Sequence, residues 1–170
     1  MDFYSDINYN LYIILEETST ENDIKIRQKA DEKIKKLAEE NLGDLLIDLS
    51  KIMSDKELKN EIRQISFKIF QNILIHPRYY ENYLNLSSVV KNKIKEKIFS
   101  GFDSEEHSIR ISAALAIYAI SKIELPRNQF LYIFDIFYEN FQKKNVNVQL
   151  STIIAINYMF QYMIFKHYSS

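Results

Sequence analysis

The chain has 170 residues, a formal net charge of −1, no cysteine, and only two glycines and two prolines. A near-neutral charge argues against a broad nucleic-acid-binding surface, and the lack of cysteine excludes disulfides and thiolate metal sites. No apolar run approaches the roughly 18 residues that suggest a membrane span, so no membrane insertion is expected.

The first half of the chain predicts four helices, because apolar residues recur there at helical spacing and turn-forming residues are scarce. Polar residues 18–20 and the stretch 41–43 separate the first three helices. Pro77 ends the fourth, since the residue before a proline avoids helical geometry. The predicted helices cover residues 5–17, 21–40, 43–53 and 56–75.

The second half predicts four more helices of the same kind. Acidic residues 103–106 are expected at the positive end of the second of these, where carboxylates are favourable. Pro126 is expected to open the third, because proline is well suited to the first helical position. The predicted helices cover residues 80–100, 103–122, 127–142 and 145–166.

The eight predicted helices form four consecutive pairs, and the second helices of these pairs share a repeated sequence pattern, called the echo below. A basic, a small and a large residue share one spacing, and the pattern recurs at roughly the 40–47-residue period of HEAT repeats. We therefore predict an all-α fold, a right-handed HEAT-repeat α-solenoid of about four antiparallel helix pairs. The chain would be a single array with repeats 1–40, 41–79, 80–123 and 124–170. The four copies are Arg27-Ala30-Ile34, Arg63-Ser66-Phe70, Arg110-Ala113-Ile117 and, without the basic residue, Val148-Ser151-Ala155.

The repeated arginine is interpreted as structural. An acidic residue lies six positions before it in two copies, Glu21 before Arg27 and Glu57 before Arg63. In HEAT arrays such pairs commonly form a ladder between neighbouring repeats, so we expect that role for these side chains rather than a catalytic one.

The outward row of each second helix is the candidate binding surface, because these helices normally line the concave side of a HEAT array. The row changes from polar in the first two copies to apolar in the last two, which marks either a binding surface or a region that neighbouring helices cover. The apolar members are Ile111, Leu115, Ile153 and Ile156. The candidate partner-binding residues are Gln28, Glu32, Lys35, Gln64, Lys68, Gln71, Asn72, Tyr118 and Gln149.

No catalytic, cofactor-binding or metal-binding residues are predicted. The three histidines, His76, His107 and His167, have no metal-ligand spacing, and no glycine-rich phosphate loop is present.

The last helix is apolar almost all round, which predicts an uncovered side that self-associates or receives a further repeat. We therefore expect a protein that binds other proteins and is not an enzyme.

Four segments resemble the N-terminal arm of the karyopherin-β family of nuclear transport receptors. They are residues 40–52, 63–72, 123–130 and 151–158. The turn at 123–130 is the most specific of them, although Phe130 stands where the family usually has Trp and Leu131 where it has Pro. The chain is far shorter than a complete karyopherin, so it resembles roughly the first four repeats of a longer receptor, or a divergent short form.

This resemblance implies a role in nuclear protein import, in the cytoplasm, the nucleus and the nuclear pore. It implies that the N-terminal repeats bind the small GTPase Ran in its GTP form, through the face that bears Gln28, Gln64, Lys68 and Asn72. Importin-α adaptors, cargo and FG nucleoporins are held mostly by later repeats of the family. The alternative is an unrelated HEAT-repeat scaffold for protein–protein interaction.

Overall fold

The computed structural model describes residues 9–20 and 24–168, with side chains over 10–18 and 24–161. Within these residues the chain forms nine α-helices and three short 3-10 turns, so the all-α prediction is confirmed. The helices are α1 Tyr9–Thr20, α2 Ile24–Glu40, α3 Leu42–Ser54, α4 Asn60–Ile75, α5 Tyr80–Leu84, α6 Ser88–Phe99, α7 His107–Glu124, α8 Ile133–Gln142 and α9 Val146–Tyr168.

The helices form two compact units, Met1–Lys97 and Ile98–Ser170. In the first unit, α1 packs on α2 and α4, and α3 packs on α4. In the second unit, α9 packs on both α7 and α8, and the 3-10 turn Ser100–Asp103 packs on α7 and α9. The hydroxyl of Ser151 in α9 donates a 2.9 Å hydrogen bond to the carbonyl of Phe102 in that turn.

The second and third positions of the echo lie in the buried core. Its small residue is fully buried, with 0% exposure, in all four copies: Ala30, Ser66, Ala113 and Ser151. The third residue of each copy is also buried; it is large in the first three copies and is Ala155 in the fourth. This burial agrees with the prediction that a small side chain at this position allows a neighbouring helix to approach closely.

Two of the repeated arginines hold the turns of their own repeats. Arg63 is buried and donates to the carbonyl of Met53 (3.1 Å) and to the side chain of Asn60 (3.0 Å). Arg110 donates to the carbonyls of Ser104 (2.7 Å) and Glu105 (2.9 Å). These bonds support the structural role through backbone carbonyls. The acidic ladder stays a prediction, and Glu21 lies outside the described residues.

The single helix predicted over residues 80–100 was wrong, because the chain forms α5 and α6 with a turn at residues 85–87. The Ser87 hydroxyl accepts a hydrogen bond from the backbone N–H of Val90 and caps α6. A Cβ placed on Gly43 would lie 2.9 Å from Leu86, so this glycine lets Leu86 sit close against α3. Gly43 itself lies in the first turn of α3, which begins one residue earlier than predicted, and Asn41 caps that helix.

The starts of α7 and α8 also differ from prediction. α7 begins at His107, after the acidic residues that were expected inside its first turn. Pro126 does not open α8 but lies in a 3-10 turn, Leu125–Arg127, and α8 begins only at Ile133. Asn128 and Phe130 between them have left-handed backbone angles, φ 57° and 61°, which a helix cannot contain. This geometry accompanies burial of the Phe130 ring, which packs edge-on against Tyr132.

Candidate protein-binding surface

The candidate residues of the first unit are accessible on α2 and α4. Gln28, Glu32, Lys35, Lys68 and Asn72 are exposed and make no hydrogen bond or ion pair with any described residue. The two remaining members of the row, Gln64 and Gln71, are half-buried. These seven residues are called the α2–α4 surface below. Side chains that the fold does not use are available to a partner.

The structure brings the two halves of this surface together at a groove between α2 and α4. Lys35 of α2 and Asn72 of α4 line the same groove, which has a volume of about 200 Å³. Arg78 and Tyr79 also line this groove, and there the guanidinium of Arg78 lies 3.7 Å from the carboxylate of Glu39 and stacks over the ring of Tyr79. Lys35 and Asn72, chosen separately from the sequence, are therefore neighbours.

The two candidates of the second unit are already engaged within that unit. The Gln149 amide donates to the carbonyls of Phe141 (3.1 Å) and Lys143 (3.0 Å), which lie at the C-terminal end of α8. The ring of Tyr118 lies 6.0 Å from the ring of Tyr158. Sequence reasoning missed the capping role of Gln149, because the reach of its amide depends on where α8 ends.

The apolar end of the predicted row is partly covered. Ile111, Leu115 and Ile156 are half-buried, whereas Ile153 is exposed. The row is therefore neither a wholly open patch nor completely covered by neighbouring helices, which were the two interpretations of its apolar end.

The prediction that one side of the last helix is uncovered is confirmed for its described side chains. Val146, Leu150, Ile153 and Phe160 are exposed, and they lie on the opposite side of α9 from its buried residues such as Ala155. A second stripe on α8, which was not predicted, exposes Phe134, Tyr138 and Phe141 at helical spacing. Its signal in the sequence was the (i, i+4, i+7) recurrence of aromatic residues.

The described residues include no group of three or more His, Cys, Asp or Glu side chains able to hold a metal ion. His76 and His107 are exposed, and His107 contacts Arg110. The side chain of His167 lies outside the described residues. None of the helices in the searched part of the chain is long and apolar enough to cross a membrane.

The sequence matches no family model, but it is similar to importin subunit beta-1 from two organisms. It is 22% identical to the Arabidopsis thaliana protein over 143 residues and 26% identical to the Saccharomyces cerevisiae protein over 154 residues. These alignments cover 81% and 86% of the chain. The structure of yeast importin-β (Kap95p) superposes with a TM-score of 0.82 over 88% of the chain, at 25% identity.

The chain is a distant homologue of the N-terminal region of importin-β. Its helices match HEAT repeats of that receptor, so the HEAT prediction is confirmed. Importin-β is a non-enzymatic transport receptor, and this homology confirms the prediction that the chain is not an enzyme. The chain spans only 16% and 18% of the length of the two importin-β relatives.

A further structural neighbour is described together with the GTPase Ran. In this structure of Kap95p, which is 25% identical and has a TM-score of 0.81, Kap95p binding induces the switch loops of RanGDP to adopt the GTP-bound conformation. Another is a complex of Kap95 with Nup1, with a TM-score of 0.80. Each of these matches extends over 88% of the chain and over less than a fifth of the neighbouring structure's chain.

Proposed function

We propose that this chain is the N-terminal segment of an importin-β-like nuclear transport receptor and binds a Ran-type GTPase in its GTP form. The α2–α4 surface makes the contact. The observation that carries the proposal is the match to the N-terminal HEAT repeats of a receptor that has been described acting on Ran. The proposed repeats are 1–40, 41–79, 80–123 and 124–170, in a right-handed array.

The chemistry of the α2–α4 surface supports this role. Its exposed members are polar or charged and include two unpaired lysines, Lys35 and Lys68, together with the acidic Glu32. A rim of mixed charge and amides is typical of interfaces that form and dissociate, and charged groups there guide the encounter of the partners. A transport receptor needs such a reversible contact.

The other partners belong to the longer receptor. Importin-α adaptors or cargo and FG nucleoporins would bind repeats beyond this segment, and the receptor would move between cytoplasm and nucleus through the nuclear pore. The Kap95:Nup1 complex among the structural neighbours is consistent with partners of the whole receptor in addition to the GTPase. The alternative of an unrelated HEAT scaffold is less favoured, because the sequence similarity extends over most of the chain.

Calorimetric titration of the chain with the GTP-loaded and GDP-loaded GTPase tests the proposal. We expect tighter binding of the GTP form, and a loss of about five- to tenfold in affinity for Lys68→Glu because a rim charge is reversed. Lys93→Glu is the matched control, since Lys93 is an exposed lysine of α6 outside the surface. Equal affinity for both nucleotide forms, or no measurable binding, would refute the proposed function.

A further inference from the structure

The α2–α4 groove has an apolar floor. Ile34 and Ala38 of α2 and Ile69 and Ile73 of α4 line it, and all four are largely buried. In the folded chain these side chains pack on one side and face the groove on the other. An apolar group that filled the groove would complete their packing.

The size of the groove limits what it can hold. Its volume of about 200 Å³ lies below the roughly 300–1,000 Å³ of sites for cofactors and drug-sized ligands. One side chain of a partner therefore fits, whereas a nucleotide does not.

The rim of the groove carries polar side chains that the fold leaves unused. Asp31 and Lys35 lie one turn apart on α2, Asn72 lies in the last turn of α4, and His76 is the residue that follows α4 at its C-terminal end. None of these four side chains makes a hydrogen bond or ion pair with a described residue. Lys35 and Asn72 can donate to an oxygen of a partner, and Asp31 can accept from an N–H.

We propose that this groove is an anchor site for a loop of the bound GTPase. The loop inserts one aliphatic or aromatic side chain between Ile34 and Ile73 and offers a carbonyl or carboxylate oxygen to Lys35 and Asn72. This inference rests on the proposed function and names the part of the α2–α4 surface where affinity is concentrated. A buried apolar anchor with a polar rim is the usual arrangement of an interface hot spot.

Two substitutions block the groove from its rim without touching its floor. Asn72→Trp covers the groove with a ring, and Lys35→Glu reverses the charge that faces the oxygen. Both residues are exposed, so the fold should be retained. The matched controls are Glu61→Trp on α4 and Lys29→Glu on α2, which are exposed and lie outside the groove.

Binding of the GTP-loaded GTPase to the full chain is measured by calorimetry. We expect Kd to rise about tenfold or more for each groove variant, as for loss of an interface anchor, and to stay within about twofold for the controls. In the methyl NMR spectrum of the wild-type chain, the resonances of Ile34, Ile69 and Ile73 should shift on binding. The resonance of Ile52, which is fully buried in α3, should not.

The outcomes separate the two proposals. If the wild-type chain prefers the GTP form and Lys68→Glu weakens binding, but Asn72→Trp and Lys35→Glu do not, the groove is not the anchor and the proposed function stands. If the wild-type chain binds neither form of the GTPase, the proposed function fails and this inference fails with it. Equal losses in the groove variants and their controls would also overturn the anchor site.

Discussion

The uncovered face of α9 should make the 170-residue chain self-associate. Val146, Leu150, Ile153 and Phe160 form an apolar stripe on this face, with Asn157 as the polar residue between them. No charged side chain interrupts the stripe, so two copies can pair without burying a charge. The perturbation that tests this is the double substitution Ile153→Glu and Phe160→Glu.

The expected magnitude follows from the exposure of the two side chains, 52% for Ile153 and 57% for Phe160. Complete burial of such a side chain stabilises by about 1.5–3 kcal/mol, so the half that is still exposed contributes about 0.8–1.5 kcal/mol. In a two-fold symmetric pair each substitution occurs twice, giving a loss of about 3–6 kcal/mol. The dimer dissociation constant should rise by a factor of roughly 10² to 10⁴.

Sedimentation equilibrium over a range of concentrations is the assay. The wild-type chain should show a concentration-dependent increase in mass, and the double variant should remain monomeric. Gln142→Glu with Lys144→Gln is the control, because it makes the same change in net charge at exposed polar positions. A wild-type chain that is monomeric at the highest concentration, or a control as monomeric as the double variant, would refute the reasoning.

Two further predictions concern stability. Arg63→Ala should lower the free energy of unfolding by about 1.5–3 kcal/mol, because the carbonyl of Met53 loses a charged donor inside the protein; a loss below about 0.5 kcal/mol in urea denaturation would contradict the structural role of this arginine. Asn41→Ala should cost about 0.5–2 kcal/mol by the same measurement, since its side chain accepts from the N–H of Asp44 and caps α3. Asn41→Ser should retain most of that stability if capping is the cause, because serine is an equally good N-cap and places no second carboxylate beside Asp44.

The helices and their contact points could be predicted because both depend on short-range patterns. The spacing of Ala30, Ser66, Ala113 and Ser151 marked the positions where a helix needs a small residue, and all four are fully buried. The apolar character of the last helix likewise predicted that one of its sides is uncovered, and the exposed stripe of α9 confirms this among the described side chains.

The departures arose from tertiary contacts that a local pattern does not contain. The break before α6 accompanies the fit of Leu86 against Gly43, which are far apart in sequence. The turn before α8 is tied to burial of Phe130 with a left-handed backbone. In the candidate surface, exposure of Lys68 and Asn72 followed from helical phase. The engagement of Gln149 with the end of α8 did not, because that end is fixed by packing.

The most direct test of the central claim, that α2 and α4 present the surface that meets the GTPase, is site-specific photo-cross-linking. A photoreactive side chain is placed at Glu32 or at Lys68, both exposed, and at Lys93 of α6 as a reference position. We predict that the first two positions cross-link to the GTP-loaded Ran-type GTPase, much less to the GDP-loaded form, and that Lys93 gives no adduct with either. Adducts at Lys93 but not at Glu32 or Lys68, or equal yields with both nucleotides, would contradict the account.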